Sequence, residues 1–177
     1  MRVIGGEFRS RLLKSPPGVE TRPTPDRLRE SLFNILAPRI EGIVLVDAYA
    51  GSGSVGIEAL SRGAAKVYLI ERSRECVTII KENLRSLGIP AGRAQVIHGN
   101  VSTYLESIAA DIYFLDPPYG KPGEYEACLQ KLGGQRPSIV IAQHSFKQPL
   151  PEEYPRLRRY RQVKQGDNIL SFYATMD

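Results

Sequence analysis

From residue 43 onward, short apolar and β-branched runs alternate with longer stretches whose apolar positions recur every three or four residues. That order predicts a parallel sheet with crossover helices, because strands buried on both faces read as continuous hydrophobic runs. The runs are Ile43 to Asp47, Val67 to Glu71, Ala94 to His98, Ile112 to Asp116 and Ser138 to Ala142. Between the second and third, Ser73 predicts an N-cap, Val77, Ile80, Leu84 and Leu87 a sheet-facing stripe, and Gly88 a stop. Upstream, Thr24-Pro25-Asp26 combines an N-cap, a first-turn proline and a first-turn acid. With Leu28, Leu32, Ile35 and Leu36 as its apolar face and Pro38 beyond it, the spacing predicts a helix over 25–37. Leu157 to Lys164 and Asn168 to Ala174 are separated only by Gln165-Gly166-Asp167, too short for a parallel crossover, so they predict an antiparallel pair. Residues 1–20, punctuated by Gly5, Gly6, Pro16, Pro17 and Gly18, read as an extended or hairpin-like arm.

The chain has 177 residues, the usual size of one domain, which divides into an N-terminal arm over 1–23 and a core over 24–177. Cys76 and Cys128 have no CxxC partner, so they predict reduced core thiols and no zinc site, and no metal is expected. No run approaches the ~18 apolar residues of a membrane span, and Met1 to Gly6 carries no signal-peptide block. The expectation is a cytoplasmic protein, monomeric and without a membrane partner.

Charge becomes informative once it is divided along the chain. Residues 1–39 hold eight Arg/Lys against four Asp/Glu, and residues 147–164 hold six against two, so each carries +4. Residues 40–146 hold ten against eleven and are near neutral. Two basic flanks on a neutral body suit a polyanion, since Arg and Lys neutralise phosphates and release counterions. Arg2, Arg9, Arg11, Lys14, Arg22 and Arg27 are the candidate RNA contacts, on an arm expected to close over a target base.

The first strand runs into Asp47-Ala48-Tyr49-Ala50-Gly51-Ser52-Gly53-Ser54-Val55-Gly56, followed by a helix through Ile57, Ala59 and Leu60. Glycines at this place permit a tight turn and close approach of a ligand to backbone. Gly51-x-Gly53-x-x-Gly56 with Glu71 at the end of the next strand also matches a dinucleotide fingerprint, leaving a nicotinamide enzyme open. Asp47 weighs against it: a carboxylate there repels pyrophosphate but orients an ammonium, such as that of S-adenosylmethionine, directly or through water.

The fourth strand delivers Asp116-Pro117-Pro118-Tyr119 to the same sheet edge, where open α/β sheets bind ligands. An aromatic amine is a weak nucleophile because its lone pair is delocalised, so acceptors must hold its N–H bonds while the nitrogen pyramidalises. Asp116 and the Pro117 carbonyl can accept, the prolines remove competing donors, and Tyr119 offers a stacking face for a flipped base. No general base is needed, because a sulfonium methyl is already activated. The alternatives are a strand-terminating turn or a non-catalytic RNA-binding protein with a vestigial cofactor site.

In Arg2-Val3-Ile4-Gly5-Gly6, Arg22-Pro23-Thr24 with Arg27 to Leu36, Asp47 to Gly63 and Asp116 to Tyr119, the chain resembles the bacterial small-subunit ribosomal RNA guanine-N2 methyltransferases over nearly its whole length. The resemblance implies an α/β, doubly wound, Rossmann-like class I methyltransferase sheet of seven strands with the last antiparallel. It implies S-adenosylmethionine as cofactor, and ribosomal RNA or a small-subunit ribonucleoprotein as partner. Asp47, Ala48, Gly51, Gly53, Glu71, Arg72, Asn100 and Val101 become candidate cofactor residues, with Glu71 on the ribose hydroxyls and Asn100 on the adenine amine. Asp116, Pro117, Pro118 and Tyr119 become the candidate catalytic loop. Adenine-N6 enzymes share that four-residue motif, so the target base stays open between the two; DNA enzymes usually add a target-recognition domain that is not seen here. Ala142-Gln143-His144 ends the fifth strand where relatives often have a glutamate, and Tyr49 stands where phenylalanine is more usual, a change from which little is expected. His98 and His144 are given no role.

Overall fold

The computed structural model describes residues 1–17, 26–118 and 120–177. Its elements are α1 (Asp26–Leu36), β1 (Val44–Ala48), α2 (Ser54–Ser61), β2 (Lys66–Glu71), α3 (Arg74–Ser86), β3 (Ala94–His98), α4 (Val101–Tyr104) with a 3-10 turn at Leu105–Ser107, β4 (Ile112–Leu115), α5 (Pro122–Gly133), β5 (Ile139–Ser145), β6 (Glu153–Tyr154), β7 (Leu157–Gln165) and β8 (Asn168–Thr175). They form one sheet in the order β3-β2-β1-β4-β5-β8-β7-β6. β1 to β5 are parallel, β8 is antiparallel to β5, and β7 returns antiparallel to β8. The sheet therefore has eight strands where seven are expected; the addition is the two-residue β6, which pairs with the outer edge of β7.

Alternation along the strands sends side chains to two cores. Leu45, Val67, Leu69, Phe114, Ile141 and Phe172 meet α1, α2 and α3 on one face. Val46, Ile70, Tyr113, Leu115, Val140 and Tyr173 meet α4 and α5 on the other. The Ser73 hydroxyl accepts from Cys76 N–H and caps α3, and Gly88, at φ 68°, follows its last turn. β5 runs to Ser145, three residues past the expected end, because β8 continues to pair with it beyond the last residue of β4. Thr24 and Pro25, the expected start of the first helix, lie outside the described residues.

The N-terminal arm is hairpin-like, with Arg2 bridged to Leu12, but it is not separate from the core. Val3, Phe8 and Leu13 are buried in the same cluster as α1 and α2. Gly6 sits at φ 78° against α2, where a Cβ would lie 1.9 Å from the Ser61 carbonyl oxygen, so only glycine allows this approach.

Candidate active site

The chain order reverses between β1 and β4, so their carboxyl ends open the crevice where such sheets bind ligands. β1 leads to Tyr49, Ala50 and the glycine loop, and β4 leads to Asp116. Gly51, at φ 60°, has open space where a Cβ would stand. Gly53, at φ 82°, N-caps α2 and faces Leu69 and Ile80. Gly56 lets α2 settle on the sheet, since a Cβ there would come within 2.9 Å of Leu69 Cδ2. The three glycines therefore do three jobs: opening the loop, turning the chain and closing the helix onto β2.

Two carboxylates brace this loop. Glu71 accepts from Gly51 N–H at 2.7 Å and from Ser73 N–H at 2.9 Å, one bond to each oxygen. Asp47, 2% exposed, accepts from Gly56 N–H at 2.9 Å. Burial, then the proximity of Asp116 and Glu71, pushes the Asp47 carboxyl well above the usual carboxylate range, against the stabilising Gly56 bond. A low-dielectric crevice edged by Asp47, Glu71 and Asp116 favours a cation, which fits the ammonium and sulfonium of S-adenosylmethionine better than a pyrophosphate. Among the described residues, no group of His, Cys, Asp or Glu is arranged to hold a metal.

A cavity of about 480 Å³ joins the halves. One end is lined by Gly51, Ile70, Glu71, Asn100 and Val101, the other by Asp116, Pro118, Lys121 and Glu124, with Tyr49 between. That volume lies in the range of ligand pockets, ~300–1,000 Å³. A smaller recess of about 100 Å³, lined by Ser15, Pro16, Asp47, Ser52 and Asp116, adjoins it.

Of the remaining expected residues, Arg72 and Val101 line the large cavity, and Asn100 does so from the N-cap of α4. Ala48 points into the core shared with α5. Pro117 is buried, and Tyr119 and Arg22 lie outside the described residues. Arg2 donates to the Ser10 carbonyl, Arg11 to the Ser86 carbonyl, and Lys14 pairs with Glu82 at 3.2 Å, and all three stay exposed. Arg9 and Arg27 are exposed. His98 contacts the Arg72 carbonyl. His144 is buried between Ser171 Oγ at 2.8 Å and the Gln148 carbonyl at 2.9 Å, and burial lowers its pKa, so it sits as a neutral packing group.

Tyr49, from which the sequence suggested little, and Asn83 and Glu58, which it did not single out, tie the elements around the site together. Tyr49, at φ 61° and hence in the left-handed region, donates to Glu124 at 2.6 Å and lies 3.3 Å from Cys128 Sγ. Its hydroxyl ties the glycine loop to α5, so the exchange for phenylalanine is not neutral; burial, with the nearby Cys128 and Glu124, raises its pKa. Asn83, 1% exposed, donates to the Ser52 and Lys14 carbonyls and accepts from Lys14 N–H, joining loop, arm and α3. Glu58, fully buried in α2, accepts from Ile4 and Gly5 N–H and from Arg62, and faces Arg29 at 3.6 Å. Glu58 stands out in the sequence as a lone acid among Val55, Ile57, Ala59 and Leu60, a position that demands a partner when buried.

Comparison with known proteins places these features in a family. The family model described as "Conserved hypothetical protein 95" matches residues 1–174. The Bacillus subtilis protein YlbH is 34% identical over 98% of this chain and 98% of its own. Ribosomal RNA small subunit methyltransferase D of Escherichia coli is 44% identical over 67% of this chain, a match that spans 60% of that relative's length. The solved structure of the Escherichia coli protein yhhF superposes with a TM-score of 0.85 at 32% identity, covering 99% of this chain and 97% of that one.

Proposed function

The chain belongs to the family described as conserved hypothetical protein 95, and from that premise we propose that it methylates the exocyclic N2 amine of a guanine in small-subunit ribosomal RNA, with S-adenosylmethionine as methyl donor. The observation that carries the reading is the cavity of about 480 Å³ shared by the Glu71-braced glycine loop and the turn that carries Asp116 and Pro118. Similarity to an Escherichia coli enzyme named for methylating small-subunit ribosomal RNA supports the substrate class. The setting is cytoplasmic on this reading; among the described residues, no helix is long and apolar enough to cross a membrane.

The donor supplies an electrophilic methyl group on a positively charged sulfur. Glu71 and Asn100 are assigned to its ribose and adenine, and Asp47 to its ammonium. Asp116 accepts the N–H of the target amine together with the Pro117 carbonyl, freeing the nitrogen lone pair from the ring. Positioning and charge complementarity then supply most of the acceleration. Tyr119 is assigned to stack on the flipped base, and residues 1–23 remain the arm beside a core over 24–177.

The test is transfer of labelled methyl from the donor to small-subunit ribosomal RNA, bare and partly assembled, followed by nucleoside analysis. N2-methylguanosine is the expected product. N6-methyladenosine would move the target to adenine, and no transfer to either substrate would reject the reading.

A further inference from the structure

The second basic segment runs over residues 147–164. Some of its charges are engaged: Arg158 pairs with Glu153 at 2.5 Å, and Arg159 donates to the Leu150 carbonyl at 3.0 Å. Lys147 and Lys164 are exposed and have no acidic partner among the described residues. Their ammonium groups converge instead on Phe146, at 5.9 and 4.8 Å from its ring centroid, and that ring is 40% exposed.

The group stands at the same edge as the candidate site. Ala142 is in register with Leu115, so Gln143 lies beside Asp116, and Phe146 is three residues farther along. At a strand rise of ~3.3 Å per residue, that is about 10 Å. Phe146 N–H donates to the Asp167 carbonyl at 2.9 Å, bringing the turn between β7 and β8 alongside. Arg27 borders this turn with Gln165 and Asn168, and Gln165 donates to Ser31 Oγ at 2.6 Å, tying the turn to α1. Asp167 is the acid among these bases.

A strand with one base turned into the Asp116 cavity must continue over the neighbouring surface. At roughly 3.4 Å per stacked nucleotide, its flanking phosphates cover 10 Å within a few residues. An exposed ring with two ammonium groups meets both needs of such a strand, a stacking face and phosphate charge. We propose that Phe146, Lys147 and Lys164, with Arg27 across the turn, grip the RNA flanking the target base. This inference rests on the RNA-methyltransferase reading above; it adds where the strand runs.

The experiment compares wild type, a Lys147→Ala/Lys164→Ala double variant and Phe146→Ala for binding to one ribosomal RNA transcript across a salt series, and to the assembled small subunit at one salt. Cofactor affinity and single-turnover rate at saturating RNA are measured alongside. The double variant should lower the salt slope by about 1.4–1.8 units, two contacts at ~0.7–0.9 each. Phe146→Ala should weaken binding on the order of tenfold with little change in slope. Cofactor affinity and the saturated rate should stay at wild-type values in both. Unchanged RNA affinity and slope, with wild type active on RNA, would overturn the surface while leaving the function standing. Normal binding to bare RNA with failure only on the assembled subunit would assign the surface to a ribosomal protein and overturn it equally. A wild type that neither binds nor methylates RNA would reject the function itself, and the surface with it.

Discussion

The two halves of the crevice are built on different principles. On the β1 side, loop and strand are tied to carboxylates and amides: Gly51 to Glu71, Gly56 to Asp47, the Ser52 carbonyl to Asn83, and Tyr49 to Glu124. On the β4 side, two prolines follow Asp116 and fix backbone without donors of their own. On the proposed function, the first half is a cofactor socket and the second carries the acceptors for the target amine. Changes in the first should therefore move affinity and stability, and changes in the second the chemical step.

The largest expected effect breaks the second half alone. Asp116→Ala should slow single-turnover transfer on the order of 10²–10³, by analogy with loss of one positioned transition-state hydrogen bond. Asp116→Asn should be milder, because its amide oxygen still accepts.

On the socket side, Glu71→Gln keeps one carbonyl acceptor but loses charge and one backbone tie. Cofactor affinity by calorimetry should fall about tenfold, the size of a charge-assisted hydrogen bond. Tyr49→Phe removes the bond to Glu124 and should cost about 1 kcal/mol of stability by denaturant titration, with transfer at saturating cofactor unchanged.

The smallest effect carries the opposite sign. Because the folded Asp47 carboxyl holds its proton to higher pH than the unfolded one, stability falls as pH rises through the window above the ordinary carboxylate range. Asp47→Asn should abolish that slope and raise the melting temperature at neutral pH by about 2–4 °C, while weakening cofactor binding. In wild type, a cation beside Asp47 favours its ionised form, so cofactor affinity should rise with pH over the same window. A melting temperature lowered by the substitution would show that Asp47 stabilises the socket instead of straining it.

Much of this was legible in the sequence where a feature is local. The Ser73 cap, the α3 stripe, the glycine loop and Asp116 at a strand end depend on residues within a few positions of one another. The bracing was not legible, because Glu58 meets Ile4 and Gly5, and Asn83 meets Lys14 and Ser52, over 31 to 69 positions. Charge counting also did not show which arm cations have partners within the chain. Arg2, Arg11 and Lys14 each bond to the protein itself and still present their charge at the surface, as Lys147 and Lys164 do.

The division between socket and acceptor set is tested most directly by a double-mutant cycle of Glu71→Gln and Asp116→Asn, with cofactor affinity and single-turnover rate at saturating cofactor measured on each variant. Glu71→Gln should weaken affinity and leave the saturated rate near wild type, and Asp116→Asn should slow transfer with affinity kept within about threefold. The two effects should add within about 0.5 kcal/mol, as for sites acting independently. An Asp116→Asn variant that lost affinity as steeply as rate, or a Glu71→Gln variant slow at saturation, would contradict the division.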